Sequence, residues 1–226
     1  FNIGMFPNVA PEFAYWGALL GLFAIVYGAF VAMGQTDFKR LVAYSSVSHM
    51  GYVLLGAASF TSAGLNGAAM QMFTHGTSSA LLFLIVGVAY DRAHHREIEG
   101  FGGLASVAPV YTGITTLGFF AALGLPSMSG FVSELLVLIG AWQKWPWMAA
   151  TAVIGIVITA AFLLWTLQRV FLGPLNEKYR TFPDVSGREI FSMAPLAFLG
   201  VLLGVAPMLL LDWIAPTLDR LRLLIA

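Results

Sequence analysis

Within the apolar run 106–142 the chain reads Gly124-Leu125-Pro126-Ser127-Met128-Ser129-Gly130-Phe131-Val132-Ser133-Glu134, and the fold turns on how these residues are read. A helix crossing a hydrocarbon core about 30 Å thick needs about 20 apolar residues at a rise of about 1.5 Å each. The run 106–142 is too long for one crossing and carries its own interruption. Pro126 lacks an amide hydrogen and clashes with the preceding turn, while the flanking glycines and serines permit and cap an irregular segment. The expectation is a helix broken near the bilayer centre. Backbone groups freed at that depth are tolerated only where protein or water surrounds them, which is how transporters build midplane sites. Taken alone, the motif reads equally as a simple proline kink and as a functional break.

Working outward, five further stretches have the length and apolarity of a crossing: 13–34, 39–60, 65–90, 147–171 and 190–211. A tail, 213–226, reads either as a short interfacial helix or as a frayed terminus. The composition agrees, with 59% hydrophobic and 10% charged residues and a mean hydropathy of +0.84, against about 25% charged in an ordinary soluble domain. The fold class is therefore all-α, a polytopic membrane bundle of six transmembrane helices including one broken helix.

Charge and residue usage exclude several function classes. Eleven basic residues balance 11 acidic ones, so no electrostatic footprint for nucleic acid exists. The absence of cysteine removes disulfides, thiolate metal sites, iron–sulfur clusters and thiol nucleophiles. No phosphate loop, nucleophile elbow or metal-ligand helix is present. If the six helices alternate in direction, one face collects Lys39, Arg40, Arg92, Arg96, Arg169, Lys178, Arg180 and Arg188, and the other Lys144, Arg220 and Arg222. That asymmetry makes the first face cytoplasmic and puts both chain ends outside. Because the chain opens on Phe1, it is expected to begin partway through a longer polypeptide.

Nearly all formal charges fall in loops or at helix ends; Glu134 is the exception, inside the apolar run 131–138. An intramembrane carboxyl is costly and is by default a functional residue. Two histidines also reach the midplane: His49 lies about 15 Å along its helix from Lys39, and His75 a similar depth from the other side. Around them, Ser45, Ser46, Ser48 and Tyr52 accompany His49, while Gln71, Ser78 and Ser79 accompany His75. Three readings stand: polar glue between helices, a haem ligand pair, and a proton relay, which the lone glutamate and the broken helix favour. The relay predicts the two imidazoles within one or two waters of each other, facing the broken helix. His94 and His95 are expected to be solvated and are given no role.

The stretch 35–51, Gln-Thr-Asp-Phe-Lys-Arg-Leu-Val-Ala-Tyr-Ser-Ser-Val-Ser-His-Met-Gly, resembles the signature helix of the antiporter-like, proton-translocating subunits of respiratory complex I. The subunit M (chain 4) type is the nearest in pattern. Gln71-Met72-Phe73-Thr74-His75-Gly76, Tyr90-Asp91-Arg92, Gly102-Gly103-Leu104 and Gly124-Leu125-Pro126 through Ser133-Glu134 extend the resemblance from Phe6 to about Gly173. It implies fourteen transmembrane helices in two inverted five-helix repeats, each with one broken helix. On that implication, 1–172 is the second repeat, and 173–226 is a cytoplasmic loop, the final helix and a short tail. His49 and His75 become central members of a proton path and Glu134 the broken-helix acid on its exit side. Ser45, Ser48, Tyr52, Gln71, Ser78, Pro126 and Lys39 are the supporting residues. The first-repeat glutamate and two buried lysines of the family have no counterpart here, so this stretch alone is not expected to pump.

The resemblance further implies that flavin, iron–sulfur clusters and quinone belong to other subunits, with no cofactor on this chain. Its partners would be other membrane subunits, above all neighbouring antiporter-like ones, in the lipid bilayer of a bacterial cytoplasmic (inner) membrane, with the chain ends periplasmic. A homologous subunit of a multisubunit cation/proton antiporter or membrane-bound hydrogenase is the alternative reading, and a non-transporting membrane scaffold the second.

Overall fold

The computed structural model of the protein describes residues 7–224; residues 1–6 and the last two residues of the tail lie outside it. Eight α-helices follow in order: α1 (Ala14–Met33), α2 (Phe38–Ser59), α3 (Ser62–Ala93), α4 (Pro109–Ala122), α5 (Ser129–Lys144), α6 (Pro146–Val170), α7 (Gly187–Val205) and α8 (Met208–Leu223). Five of them, α1, α2, α3, α6 and α7, are long and apolar enough to cross a membrane. The long run 106–142 is split into α4 and α5, of 14 and 16 residues. Neither half spans about 30 Å at the helical rise, so the pair makes one crossing in tandem.

Helix starts follow local chemistry. Asp37 accepts from the Arg40 amide at the head of α2, and Thr61 from the Gly64 amide at the head of α3. Ser186 and Glu189 form a capping box on α7. Pro109 and Pro146 occupy first-turn positions, where a missing amide hydrogen costs nothing. The apolar stretch 190–211 departs from expectation. It is divided at Ala206 and Pro207, so α7 ends at Val205 and the tail begins earlier, as the fully helical α8. Pro207 is the physical reason, since its ring disfavours helical geometry in the residue before it. Asp219 ties α8 to the start of α3 by accepting from Ser62 Oγ at 3.0 Å.

The helices that matter most approach through glycine. A Cβ at Gly21 on α1 would stand 2.7 Å from Leu55 N on α2, and one at Gly67 on α3 would stand 2.6 Å from Val137 N on α5. Without a hydrophobic force between helices in lipid, such close backbone contact is a principal source of association.

At one face of the bundle the loops are knitted together. Phe38 N donates to Arg96 O at 2.8 Å and Ile98 N to Thr36 O at 2.9 Å, and Arg96 pairs with Asp37 at 3.1 Å. Arg92 grips Glu189 through both terminal nitrogens, at 2.9 and 2.8 Å, and also donates to the carbonyls of Pro183 and Asp184. His95 is not the solvated residue expected from its charged surroundings. It is half-buried, lies against Phe101 with 4.6 Å between ring centroids and the planes tilted by 33°, bonds Tyr179 Oη, and accepts from Glu97 N at 3.2 Å. Burial raises the Tyr179 phenol above its ordinary pKa. His94 is exposed, ending α3 in the left-handed region at φ 57°.

Helix α4 has no side-chain cap of its own; Asp184 supplies one from the loop, accepting from Val110 N and Tyr111 N at 2.9 Å each. Asp184→Ala should therefore cost about 1–2 kcal/mol, read as a lowered thermal midpoint in mild detergent, with Asp184→Asn recovering part of it. An unchanged midpoint for the alanine variant would show that this cap does not hold α4.

Candidate functional site

Helix α3 presents Gln71, Thr74, His75 and Ser78, whose spacing of three, four and seven puts them on one face. That face meets His49 of α2 and Ser133 and Glu134 of α5. Glu134 is 4% exposed and its Oε1 lies 3.3 Å from His49 Nδ1. Gln71 Nε2 approaches the same nitrogen at 3.5 Å. The His49 and His75 rings stand 5.1 Å apart, tilted by 34°. Ser133 Oγ donates to Gln71 Oε1, and Thr74 Oγ1 lies 3.2 Å from Ser133 Oγ. The polar groups enclose a cavity of about 10 Å³ between His49, His75, Gln71, Glu134 and the ends of the two half-helices at Ala122 and Gly130. Such a volume admits about one water. It leaves no room for a haem between the imidazoles.

The break puts the carboxyl in place. Gly124 adopts φ 70°, in the left-handed region, and a Cβ there would stand 2.8 Å from Glu134 Oε2. Glycine is thus required twice over, by backbone conformation and by the approach of the carboxylate. Ser127 is also left-handed, at φ 75°. Both residues lie between Ala122 and Ser129, so the proline-containing segment is a true interruption of the helix rather than a kink within it.

Chemically, His49 Nδ1 and Glu134 Oε1 are close enough to pair as ions when the imidazole is protonated. Imidazole takes a proton on one nitrogen and releases it from the other. His75 and one water-sized space lie next in line. Among the described residues no group of three or more His, Cys, Asp or Glu side chains could hold a metal ion.

The candidate residues separate into two sets. His49, His75, Glu134, Gln71 and Ser78 come together. Ser45, Ser48 and Tyr52 share the His49 stretch but bond elsewhere: Ser45 to Val42 O at 2.7 Å on its own helix, Ser48 to Ile25 O at 2.8 Å on α1, and Tyr52 to Ala152 O at 2.9 Å on α6. Pro126 is exposed in the break, and Lys39 is exposed in the first turn of α2. Sequence reasoning missed Thr74, Ser133 and Gly124 as site residues. Thr74 was signalled by the stripe that includes Gln71, His75 and Ser78, and Ser133 by its place one turn after Ser129.

Residues 2–159 match the family described as NADH:quinone oxidoreductase/Mrp antiporter, transmembrane. The chain is 44% identical over 222 residues to NADH-quinone oxidoreductase subunit M of Rhodobacter capsulatus, covering 98% of this chain and 43% of that protein. It is 38% identical over 216 residues to subunit M of Mycobacterium tuberculosis, covering 96% and 39%. The chain thus spans about two fifths of the length of these curated relatives. Among solved structures, a chain of respiratory complex I from Thermus thermophilus with bound NADH superposes at a TM-score of 0.94 with 32% identity, covering all of this chain and 48% of that one. The membrane-bound sulfane sulfur reductase, an archaeal respiratory membrane complex, gives a TM-score of 0.85 with 30% identity over 90% of this chain and 34% of that one. The Mrp complex of Dietzia shares the fold, at a TM-score of 0.81 and 21% identity over 96% of this chain and 50% of that one. With a matched span that takes in α1 to α5, the broken helix and the site residues, the chain belongs to the NADH:quinone oxidoreductase/Mrp antiporter transmembrane family.

Proposed function

We propose that this chain is the second five-helix repeat, final crossing and tail of a subunit M that translocates protons for an NADH:quinone oxidoreductase. The observation that carries the reading is the 3.3 Å contact of His49 Nδ1 with Glu134 Oε1 at the broken helix, with the His75 ring 5.1 Å from His49. A proton passes from His75 to His49 and leaves from Nδ1 to the carboxylate. Gln71 and Ser133 hold the amide and hydroxyl that border this step. The chain's own groups do no redox chemistry, and quinone reduction by NADH takes place on other subunits. The partners are the other membrane subunits of the complex, the face bearing Arg92 and Arg188 is cytoplasmic by its excess of basic residues, and both ends are periplasmic in a bacterial inner membrane.

The likeness to the membrane-bound sulfane sulfur reductase, at 30% identity, supports a second reading as the equivalent subunit of a related ion-translocating respiratory complex. Both readings use the same site, and a non-transporting scaffold does not.

Glu134→Gln keeps shape and hydrogen bonding but holds no exchangeable acid. In the full-length protein within its complex it should lower proton pumping about 100-fold or more, the usual scale for losing a proton-transfer group, while assembly persists. The readout is acidification of inverted vesicles on addition of NADH, and unchanged acidification would favour the scaffold. Gly124→Ala tests the seat of the carboxyl separately. Its left-handed φ and the contact with Glu134 Oε2 predict a loss of pumping with the acid still present; normal pumping would show that the break does not position Glu134.

A further inference from the structure

Away from the polar site, an open groove of about 260 Å³ lies between the last turns of α3 and the first turns of α7. Phe83, Leu84, Val88 and Met193 line it, and Gly87 leaves a notch where an added Cβ would meet nothing within 4 Å. Its rim carries Asp91 and Arg188, both exposed, and among the described residues neither forms an ion pair. Glu189, the third charge there, is neutralised by the two-pronged bond to Arg92. The rim therefore offers one free cation and one free anion above an apolar floor.

Depth says what such a groove meets. At the helical rise Asp91 lies about 24 Å along α3 from the midplane residue His75, while Phe83 and Leu84 lie about 12–14 Å along it. The hydrocarbon half-thickness is about 15 Å, and the headgroup layer extends to about 20–22 Å. The apolar floor is thus at acyl-chain depth, and the charged rim begins at the outer edge of the headgroup layer, with the Asp91 side chain tilted back along α3 toward the phosphates and amines.

We propose that this groove binds a phospholipid and selects an ethanolamine headgroup, with the phosphate on Arg188, the ammonium on Asp91, and one acyl chain laid along Phe83, Leu84 and the Gly87 notch. A zwitterionic headgroup matches the two free charges. An anionic headgroup would leave Asp91 facing like charge, and a choline has no N–H to donate to a carboxylate. The volume falls just below that of pockets for whole drug-sized ligands, about 300–1,000 Å³, so the groove takes a headgroup and the start of a chain. A larger groove of about 320 Å³ beside Leu138, Trp142 and Val153 between α5 and α6 has no charged group to select a headgroup.

The test uses the full-length protein in its membrane complex, reconstituted in nanodiscs of equal phosphatidylethanolamine, phosphatidylglycerol and phosphatidylcholine and examined by native mass spectrometry. One phosphatidylethanolamine per copy should remain bound. Gly87→Leu fills the notch without meeting protein and gains helix propensity, and Arg188→Gln removes the anion partner. Each should lower retention about tenfold, the fold-change of one charge-assisted hydrogen bond or a comparable loss of apolar contact. Asp91→Asn should keep a lipid but lose the preference for ethanolamine over choline, a change that a purely structural role would not produce. Equal retention of the three lipids by the wild type, unchanged retention in Gly87→Leu and Arg188→Gln, or a photo-crosslinker at position 87 capturing a neighbouring polypeptide would overturn the proposal.

Discussion

A carboxyl group inside a membrane is tolerated when it faces protein or a water-filled cavity and finds partners there, and Glu134 meets that constraint through one contact above all, the approach of Oε1 to His49 Nδ1. Three elements must be in register for it to exist. Helix α2 has to bring His49 to mid-depth, α5 has to start close enough to its twin α4 for the carboxyl to reach the break, and Gly124 has to leave room for Oε2. The break is thus more than a flexible point. Its left-handed residues turn the chain so that an acid on the second half-helix meets an imidazole from a different helix.

Small residues make that register possible. Gly67 lets the backbone of α5 come against α3, so that Ser133 can reach Gln71 and Thr74. On the other side of α2, the contact of Gly21 with Leu55 and the bond from Ser48 to Ile25 O fix that helix against α1. Tyr52, bonded to Ala152 O, fixes it against α6. The serine and tyrosine near His49 in sequence are therefore part of the frame that holds the imidazole, and polar partners from α3 and α5 complete its surroundings.

Much of this was legible in the sequence because lipid imposes length and apolarity on each crossing, and because the run 106–142 is too long for one crossing and carries Pro126 between Gly124 and Gly130. The acid and both histidines stood out for the same reason, as titratable groups where hydrocarbon would otherwise be. Which polar neighbours serve them was not legible. Serine and threonine in such helices commonly bond their own preceding turn, as Thr112, Thr115, Thr116 and Thr166 do. Residue type alone therefore does not separate Ser133, which reaches another helix, from Ser45, which does not. That distinction lies in the rotation of each helix about its axis, set by contacts distant in sequence. His95 escaped for a related reason: its partner Tyr179 arrives from another loop. The boundary at Pro207 was in plain view, but the apolar residues on both sides outweighed it.

The surroundings of Glu134 differ on its two sides. One turn further along α5, Val137 is fully buried, and Gly67 and Gly56 close on it so tightly that a Cβ on either would stand 2.6–2.8 Å from its atoms. That seam between α2, α3 and α5 is closely packed, and the buried Tyr52, in the same apolar cluster as Val137, has its hydroxyl committed to Ala152 O. On the other side, the carboxylate touches the Gly124 turn, and the segment beyond it exposes Pro126 and Ser127. Within the break Leu125 N donates to Phe120 O at 3.2 Å and Met128 N to Leu125 O at 2.9 Å, and Ser127 O lies against Gly204 of α7. The acid therefore stands between a turn of irregular backbone on one side and the glycine-packed seam on the other.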